Sequence, residues 1–407
     1  AQRPSSDSPT LAMHVNHPIW LRAVSQPGAL VFAILFTLES VARATLATLI
    51  PLQAYALLQD ARDVSGLYFA VGAVGLAGSF TIPLLIRRFR RRWVYSLGVT
   101  LAIVAAGLLA TGSLSGLMSG MLVRAFAAAA TNITLSLYVM DYIRKRDFVH
   151  SEPLKLMLSA AAWTAGPTIG VALYHEFGRG AAELLSALSA AALLAYFWYL
   201  RLQENPAVAA ATKPPPNPLR SIRRFLAQPR LRLAWLITFG RSWWWAMFFV
   251  YPPLYMIDAG QGELAGALLV SAGNALLILT VPVGRAAARF GIRRLIIGAF
   301  LAAGATTILA GAVFAFPIAV AACMLGGALA AVTLDALGNI PFLRAVRAYE
   351  RPQMATVFRT YIDFADLLPA GLFVLLLSVF DLRAVFIASG LAMLVVAHYA
   401  RYLPRRM

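Results

Sequence analysis

A few charged side chains lie inside long apolar stretches of this 407-residue sequence. Glu39 and Arg43 are four residues apart, and Arg359 and Asp363 repeat that spacing. Residues four apart share one face of a helix, so each acid can pair with its arginine. An ionisable group surrounded by apolar residues is costly to bury and is therefore a candidate for binding a proton or a charged ligand.

Glu39 is the first candidate for reversible protonation. Burial favours the protonated form of a carboxyl group, whereas an adjacent guanidinium favours the ionised form. Glu39 beside Arg43 meets both conditions, so loss of this pairing can accompany protonation. Three more acids in apolar stretches are further candidates, namely Asp335, Asp363 and Asp366. The alternative interpretation is that Glu39–Arg43 and Arg359–Asp363 are buried ion pairs that only stabilise helix packing.

Arg43 and Arg241 are the candidates for holding an anionic ligand. A guanidinium can bind a carboxylate or phosphate through two parallel hydrogen bonds. Alternatively, Glu39 neutralises Arg43, and Asp335 or Asp363 neutralises Arg241. Of the three tryptophans at 243–245, at most two can face a ligand, because successive helical residues point about 100° apart. The remaining ligand candidates are Trp244, Asn132, Asn339, Tyr138 and Asn274, together with Trp163.

The composition indicates which elements position these residues. Hydrophobic residues make up 60% of the chain and charged residues 13%, against roughly a quarter charged in soluble domains. A soluble protein of this length could not cover so much apolar surface. The net charge of +18 would suggest a nucleic-acid partner in a soluble protein. Here the basic residues stand between apolar runs, where they anchor helices at a bilayer surface, so we predict a lipid bilayer and no nucleic acid as partner.

Twelve apolar runs follow one another along the chain. Each is long enough for a helix rising 1.5 Å per residue to cross roughly 30 Å of hydrocarbon. The runs fall at 29–54, 64–86, 93–111, 117–141, 154–175, 182–201, 231–256, 263–284, 294–314, 318–343, 354–379 and 383–403. The sequence therefore predicts an all-α integral membrane protein with twelve transmembrane helices.

A polar, proline-rich segment divides these runs into six and six. It predicts a cytoplasmic N-terminal segment at 1–28, a six-helix bundle at 29–201, a linker at 202–230 and a second six-helix bundle at 231–407. Residues 221–228 of the linker are typical of a short basic helix at a membrane surface. The two halves align weakly with an offset of about 201 residues, which favours two pseudo-symmetric bundles with a cavity between them.

The basic residues also predict the orientation. Of the 35 lysines and arginines, only Arg62, Arg179 and Arg383 fall in loops on the side opposite the linker. Because loops rich in Lys and Arg remain in the cytoplasm, we expect both termini to be cytoplasmic and the protein to reside in a bacterial inner membrane. The single cysteine, Cys323, and the scattered histidines predict no disulfide, metal site or cofactor.

Three motifs connect the chain to a known family. The first is a loop sequence that begins Gly284-Arg285 and continues to Arg289, Gly291 and Arg293, with Ala288 where the family has Asp. The second is Arg124 at the start of the fourth run. The third is Gly166-Pro167-Thr168-Ile169-Gly170 in the fifth run, with Val171 in place of a final Gly. In this order the motifs resemble those of the major facilitator superfamily, and most closely its twelve-helix proton antiporters for drugs and metabolites.

The resemblance implies alternating access rather than catalysis. It favours proton-driven export, by antiport, of a small amphiphilic or anionic organic molecule by a monomer. The alternative is a symporter that imports a small organic anion or nutrient together with protons. A membrane enzyme is disfavoured because acids and histidines do not gather at one interface, and a passive channel because the charged residues do not form rings.

Overall fold

The computed structural model describes residues 29–142, 148–200, 218–347 and 351–404. Throughout these ranges the regular secondary structure is helical and contains no strand, so the all-α prediction is confirmed. The predicted N-terminal segment 1–28 and residues 202–217 of the predicted linker lie outside the described residues.

The first half of the protein, defined here as residues 29–200, contains seven helices in its described ranges 29–142 and 148–200. They are α1 Ala29–Ala44, α2 Leu49–Leu58, α3 Ala61–Arg88, α4 Arg91–Ala110, α5 Leu114–Tyr142, α6 Phe148–Phe177 and α7 Ala181–Tyr199. The predicted first run is thus not one helix: α1 and α2 are separated by turns at residues 45–48.

The second half, defined as residues 218–404, contains nine α-helices in the parts that the structure describes, 218–347 and 351–404. They are α8 Pro218–Leu226, α9 Pro229–Asp258, α10 Glu263–Ala275, α11 Thr280–Phe290, α12 Ile292–Ala312, α13 Pro317–Leu337, α14 Ile340–Ala345, α15 Arg351–Leu377 and α16 Arg383–Ala400. The predicted eighth run is also interrupted, because a 3₁₀ turn at Leu276–Leu279 joins α10 to α11 with a bend of 55°.

Length and composition identify which helices can cross a membrane. Among the described residues, nine spans qualify, one of them formed by α1 together with α2 and another by α13 together with α14; there are ten if the bent α10–α11 pair is a single span. The predicted fifth and seventh spans are α6 and α9, each of 30 residues. At about 1.5 Å per residue each is long enough to cross. The structure therefore shows a multi-pass membrane protein, and the count of twelve spans remains a prediction.

The chain turns alternately at two ends of the molecule. We call the end that carries residues 200, 218–230 and 400–404 the linker end, and the end that carries residues 58–61, 177–181 and 258–263 the distal end. At the linker end, α8 lies against the second half: Phe225 is buried with Phe342 and Phe358 in one apolar cluster, while Arg223 is exposed. The predicted short linker helix is therefore present.

Two long contacts join the halves. Helix α3 packs along α15, and α6 packs along α10. Gly72 permits the first contact, because a Cβ atom there would lie 3.1 Å from the Cα of Leu367 and 3.2 Å from the carbonyl oxygen of Asp366. Hydrogen bonds from Thr168 to Ser271 support the second contact, at 3.2 Å from the backbone nitrogen and 2.7 Å from the hydroxyl.

The distal end carries further contacts between the halves. The Tyr55 hydroxyl donates a hydrogen bond to Asp258, and His175 Nε2 lies 3.2 Å from a carboxylate oxygen of Glu263. Together with the Thr168–Ser271 contact, these ties hold the two halves against each other on the distal side of the molecule.

Candidate functional site

The site is organised around the interruption between α1 and α2. The Thr45 hydroxyl bonds to the Val41 carbonyl at 2.8 Å, a local bond of a kind that bends helices. Pro51 has no N–H with which to continue the helical ladder. The Ala47 nitrogen bonds to the Ala44 carbonyl at 3.1 Å instead of to the Arg43 carbonyl one residue earlier. The Arg43 carbonyl is therefore left for another donor.

Arg124 supplies that donor. Its Nη2 atom lies 2.9 Å from the Arg43 carbonyl oxygen, so a side chain of α5 completes the broken helix. A backbone carbonyl inside a membrane protein must be satisfied internally, because lipid offers no hydrogen bond. The motif arginine thereby fixes the backbone that carries Arg43.

The glycines of the α6 motif lie against the same interruption. A Cβ atom on Gly166 would be 2.6 Å from the Cβ of Ala44, and one on Gly170 would be 1.8 Å from the carbonyl oxygen of Thr45. No side chain fits at either position. Pro167 between them is buried, and the next residue, Thr168, contacts the second half. One side of the motif therefore packs against the interruption between α1 and α2. Its opposite side contacts the second half of the protein.

Glu39 projects from α1 into the interior of the first half. It is 5% exposed, and its Oε1 atom accepts a hydrogen bond of 3.0 Å from the Thr131 hydroxyl of α5. The Arg43 Nη1 atom lies 3.8 Å from the same oxygen, which is an ion-pair distance but too long for a hydrogen bond. Arg43 thus stabilises the Glu39 charge without being saturated by it.

These residues line a small cavity inside the first half. Its volume is about 40 Å³, and α1, α4, α5 and α7 enclose it. Glu39, Arg43, Arg124, Thr131 and Ser186 supply its polar surface, while alanine, valine and leucine side chains supply the rest. Room for a water molecule requires about 10–15 Å³, so the cavity can hold a few waters but not an organic substrate. It can keep Glu39 in contact with water.

A second acid–arginine pair lies in the second half. Arg241 Nη1 is 3.3 Å from Asp335 Oδ1, and Trp245 Nε1 donates to the other oxygen of Asp335 at 2.9 Å. The guanidinium also lies 3.3 Å from the Tyr361 hydroxyl and 5.6 Å from the centre of its ring. The predicted partner Asp335 is therefore present, and this pair is closer and more fully hydrogen-bonded than Glu39–Arg43.

Aromatic rings connect the two pairs across the junction of the halves. The Arg43 guanidinium lies 5.9 Å from the ring centre of Trp163. Trp163 contacts Phe249 of α9 at 5.5 Å, and Phe249 contacts Trp245 at 5.9 Å between ring centres. Trp163, Phe249 and Trp245 are all half-buried. The junction therefore offers ring faces between one charged pair and the other.

Asp366 approaches Arg43 from the opposite half. It lies at the middle of α15, its side chain is accessible, and it interacts electrostatically with Arg43 and Asp363. Tyr68 of α3 interacts with both Asp366 and Arg124. An accessible carboxylate at mid-helix with partners across the junction faces the space between the halves.

The structure separates the other ligand candidates from this junction. Trp244 has no exposed surface; its Nε1 atom donates to Thr307 at 2.9 Å and its ring stacks on Phe248. Trp245, not Trp244, reaches Asp335. Tyr138 is 1% exposed in the apolar core of the first half. Asn274 is buried and donates to Val270 of its own helix at 2.9 Å.

Two further predicted residues lie nearer the linker end. Asn132 accepts a hydrogen bond of 3.4 Å from Arg359 of the second half, and Ser136 accepts another of 3.3 Å from the same guanidinium. This arrangement places Asn132 in a contact between the halves. Asn339 is exposed at the start of α14.

The loop motif between α11 and α12 has a capping role. Gly291 has a φ of +86°, a conformation that glycine adopts without strain, and it ends α11 and begins α12. Arg293 donates to the carbonyl of Arg401 at 2.6 Å and so joins the linker ends of α12 and α16. Gly284 and Arg289 are exposed, and the Arg289 guanidinium lies 5.4 Å from the ring centre of Phe290.

Four residues that the sequence did not single out belong to this architecture. Thr131 contacts Glu39, and Tyr361 contacts Arg241. Glu183 of α7 is 2% exposed and accepts a hydrogen bond of 2.8 Å from Gln53. The Ser186 hydroxyl donates to the Ala42 carbonyl at 2.7 Å. The sequence carries a signal for Glu183, because it is an acid inside the sixth apolar run, whereas hydroxyl groups are common in membrane helices.

Comparison with known proteins identifies the family. The model of the Major Facilitator Superfamily matches residues 32–279, more than half of the chain. The chain belongs to the Major Facilitator Superfamily. It is therefore a membrane transport protein and not an enzyme, as the sequence predicts. No curated protein sequence matches it.

Solved structures of superfamily transporters share the fold. A POT family transporter in complex with 5-aminolevulinic acid is 14% identical, with a TM-score of 0.71 over 91% of this chain and 94% of that one. The nucleoside transporter NupG is 14% identical, with a TM-score of 0.68 over 92% of this chain and 98% of that one. At such low identity these structures show the fold alone. The antiporter subtype that the motifs resemble remains a prediction.

Proposed function

We propose that this superfamily member is a proton-coupled secondary transporter that exports a small amphiphilic or anionic organic molecule by antiport. Protons are the coupling ion and Glu39 is their carrier. We further propose a monomer in a bacterial inner membrane, with two six-helix bundles and both termini in the cytoplasm.

The arrangement around Glu39 carries this proposal. The carboxylate is buried, contacts one hydroxyl and one arginine, and borders a cavity large enough for water. Its arginine partner lies beside the helix break that Arg124 and the α6 glycines stabilise. A proton on Glu39 removes the charge opposite Arg43 and so changes the electrostatic balance at the junction. A protonation that favours one arrangement of the two bundles provides the coupling. Asp335, Asp363 and Asp366 are the further candidate acids.

The charges at the junction also favour the alternative, symport. Glu39 and Asp366 are the acids that interact with Arg43, and Arg43 and Arg124 are the basic groups. Asp363, which interacts with Asp366, lies four residues from Arg359, so these two residues together add no net charge. With both acids ionised these four groups sum to zero. Protonation of either acid leaves one positive charge, which a singly charged anion would neutralise. This count lets a proton and an anion occupy the site together, as symport requires.

Proteoliposomes that contain the pH-sensitive dye pyranine distinguish the two mechanisms. When substrate is added outside, antiport moves protons out and raises the internal pH, whereas symport moves protons in and lowers it. The sign does not depend on how the protein is oriented in the vesicle. A panel of dyes, organic acids and metabolites serves as substrates, and protein-free liposomes correct for passive entry of weak acids.

The expected result is a protein-dependent rise of internal pH with at least one amphiphilic or anionic compound. A fall of internal pH would show that the protein is a symporter and not an antiporter. Uptake of a radiolabelled compound with no change of internal pH in either direction would contradict proton coupling altogether.

A further inference from the structure

The two acid–arginine pairs differ in how much binding capacity each arginine retains. The Arg241 side chain is 12% exposed and has Asp335 and Tyr361 as partners. The Arg43 side chain is 39% exposed, and its acid partner is 3.8 Å away. A guanidinium has five N–H donors. Among the described residues, no carboxylate lies within hydrogen-bond distance of the N–H donors of Arg43.

Arg43 is also the better positioned of the two. The Arg124–Arg43 carbonyl bond of 2.9 Å and the glycines of α6 hold its backbone in place. The side chain faces the junction, where Asp366 interacts with it across the gap. Asp335 and Trp245, by contrast, hold Arg241 inside the second half. An incoming carboxylate can therefore reach Arg43 without displacing a hydrogen-bonded pair.

The surroundings of Arg43 restrict the rest of the ligand. Trp163 lies 5.9 Å from the guanidinium, and its ring is half-buried beside Phe249 and Trp245. Flat apolar groups pack well on such rings. Within the described residues, the ring contacts lead from Trp163 through Phe249 to Trp245, which donates to the Asp335 carboxylate. An acid at that end of the line disfavours a second negative charge on the ligand.

We propose that Arg43 and Trp163 form the substrate site, and that the substrate is a planar organic anion with one carboxylate. Arg43 binds the carboxylate and Trp163 contacts the ring face, while Arg241 is a structural partner of Asp335 rather than a ligand. This inference rests on the proposed transport function and adds the substrate class to it.

Binding to the purified protein in detergent tests the assignment without any proton gradient. The probes form a matched set: 2-naphthoate, its neutral amide 2-naphthamide, saturated decalin-2-carboxylate and naphthalene-2,6-dicarboxylate. Isothermal titration calorimetry measures each affinity. We expect 2-naphthoate to bind roughly tenfold more tightly than the amide, because hydrogen bonds to a charged group add that much. We expect the saturated acid and the dianion each to bind several-fold more weakly than 2-naphthoate.

Variants assign the preference to residues. Arg43→Gln should make 2-naphthoate and 2-naphthamide bind equally, and Arg43→Lys should retain part of the difference, because it keeps the charge but loses the planar fork. Trp163→Leu should remove the preference for the planar acid over the saturated one. The matched controls are Arg383→Gln, which removes an arginine over Phe314 at the distal end, and Trp198→Leu, which removes an exposed tryptophan of α7.

Arg241→Gln provides the decisive comparison. It should lower the melting temperature, because it leaves the half-buried Asp335 carboxylate without its partner, while the ratio of the two affinities persists. Loss of that ratio in Arg241→Gln together with its retention in Arg43→Gln would overturn the assignment. Failure of all four probes to bind would overturn the substrate class, whereas a change of pyranine signal with other compounds would still support proton-coupled transport.

Discussion

At the scale of single residues, Glu39 is the group on which we propose that coupling depends. Glu39→Gln keeps the size of the side chain and a hydrogen-bond acceptor for Thr131 but cannot exchange a proton. We expect the substrate-induced change of internal pH to disappear, while substrate binding persists and loses its dependence on pH. Pyranine fluorescence in proteoliposomes measures the first effect, and calorimetry at several pH values measures the second.

Glu183→Gln is the matched control, because Glu183 is also a buried glutamate of the first half and its contact with Gln53 survives the exchange. This variant should keep the pH response. If Glu39→Gln still moves protons with substrate, the carrier is another acid, and Asp335, Asp363 and Asp366 are the next to exchange.

Sequence spacing identified the Glu39–Arg43 pair but could not orient the adjacent tryptophans. The four-residue spacing of Glu39 and Arg43 predicts a pair on one helix face, and the structure shows it. It could not choose among three adjacent tryptophans, because the rotation of α9 about its axis depends on packing by other helices. That packing buries Trp244 against Thr307 and leaves Trp245 beside Asp335. Contacts between residues far apart in sequence, such as Arg241 with Tyr361, have no signal in either segment alone.

At the scale of helices, the fit between α6 and the broken first span can be tested directly. In Gly170→Ala the added Cβ would lie 1.8 Å from the Thr45 carbonyl oxygen, so the backbone must move. We expect a loss of stability of about 1–3 kcal/mol, the usual cost of overpacking, and reduced transport. A lower melting temperature of the purified protein would show this effect.

Gly298→Ala is the control for that substitution. Gly298 lies within α12, and nothing lies within 4 Å of its added Cβ. Since alanine favours helix over glycine by about 0.5–1 kcal/mol, this variant should be as stable as the parent or slightly more stable. Equal melting temperatures for the Gly170 and Gly298 variants would show that the close contact at Thr45 does not limit stability.

Apolar runs predicted where the helices lie but not where they are interrupted. The first and eighth runs read as continuous, yet the structure breaks them at residues 45–48 and 276–279. The first break depends on residues from several parts of the chain. Thr45 and Pro51 weaken the local helical hydrogen bonds. Far along the chain, Arg124 donates to the freed Arg43 carbonyl, and Gly170 leaves room for the Thr45 carbonyl. A run-by-run reading of hydropathy contains none of this information.

At the scale of the whole molecule, the proposed orientation rests on the basic residues of the linker end. Single cysteines can test it once Cys323 has been replaced by serine. Cysteines at Ser115 and Glu176 of the distal end should react with a membrane-impermeant thiol reagent added to intact cells, and cysteines at Arg230 and Pro404 should react only after permeabilisation. All four positions are exposed. The reverse pattern would invert the proposed orientation.

We expect the two halves to remain associated without the linker, because packing holds them together. Helices α3 and α15 approach closely at Gly72, and α6 is joined to α10 through Thr168 and Ser271. We therefore expect that cleavage at a protease site inserted beside Pro215 leaves both fragments in one peak on size-exclusion chromatography in detergent. Gly72→Leu supplies the matched test, since its side chain would clash with the backbone at Asp366 and Leu367; the same cleavage should then release the fragments. Separation of the fragments without that substitution would show that the linker, and not the interface, keeps the halves together.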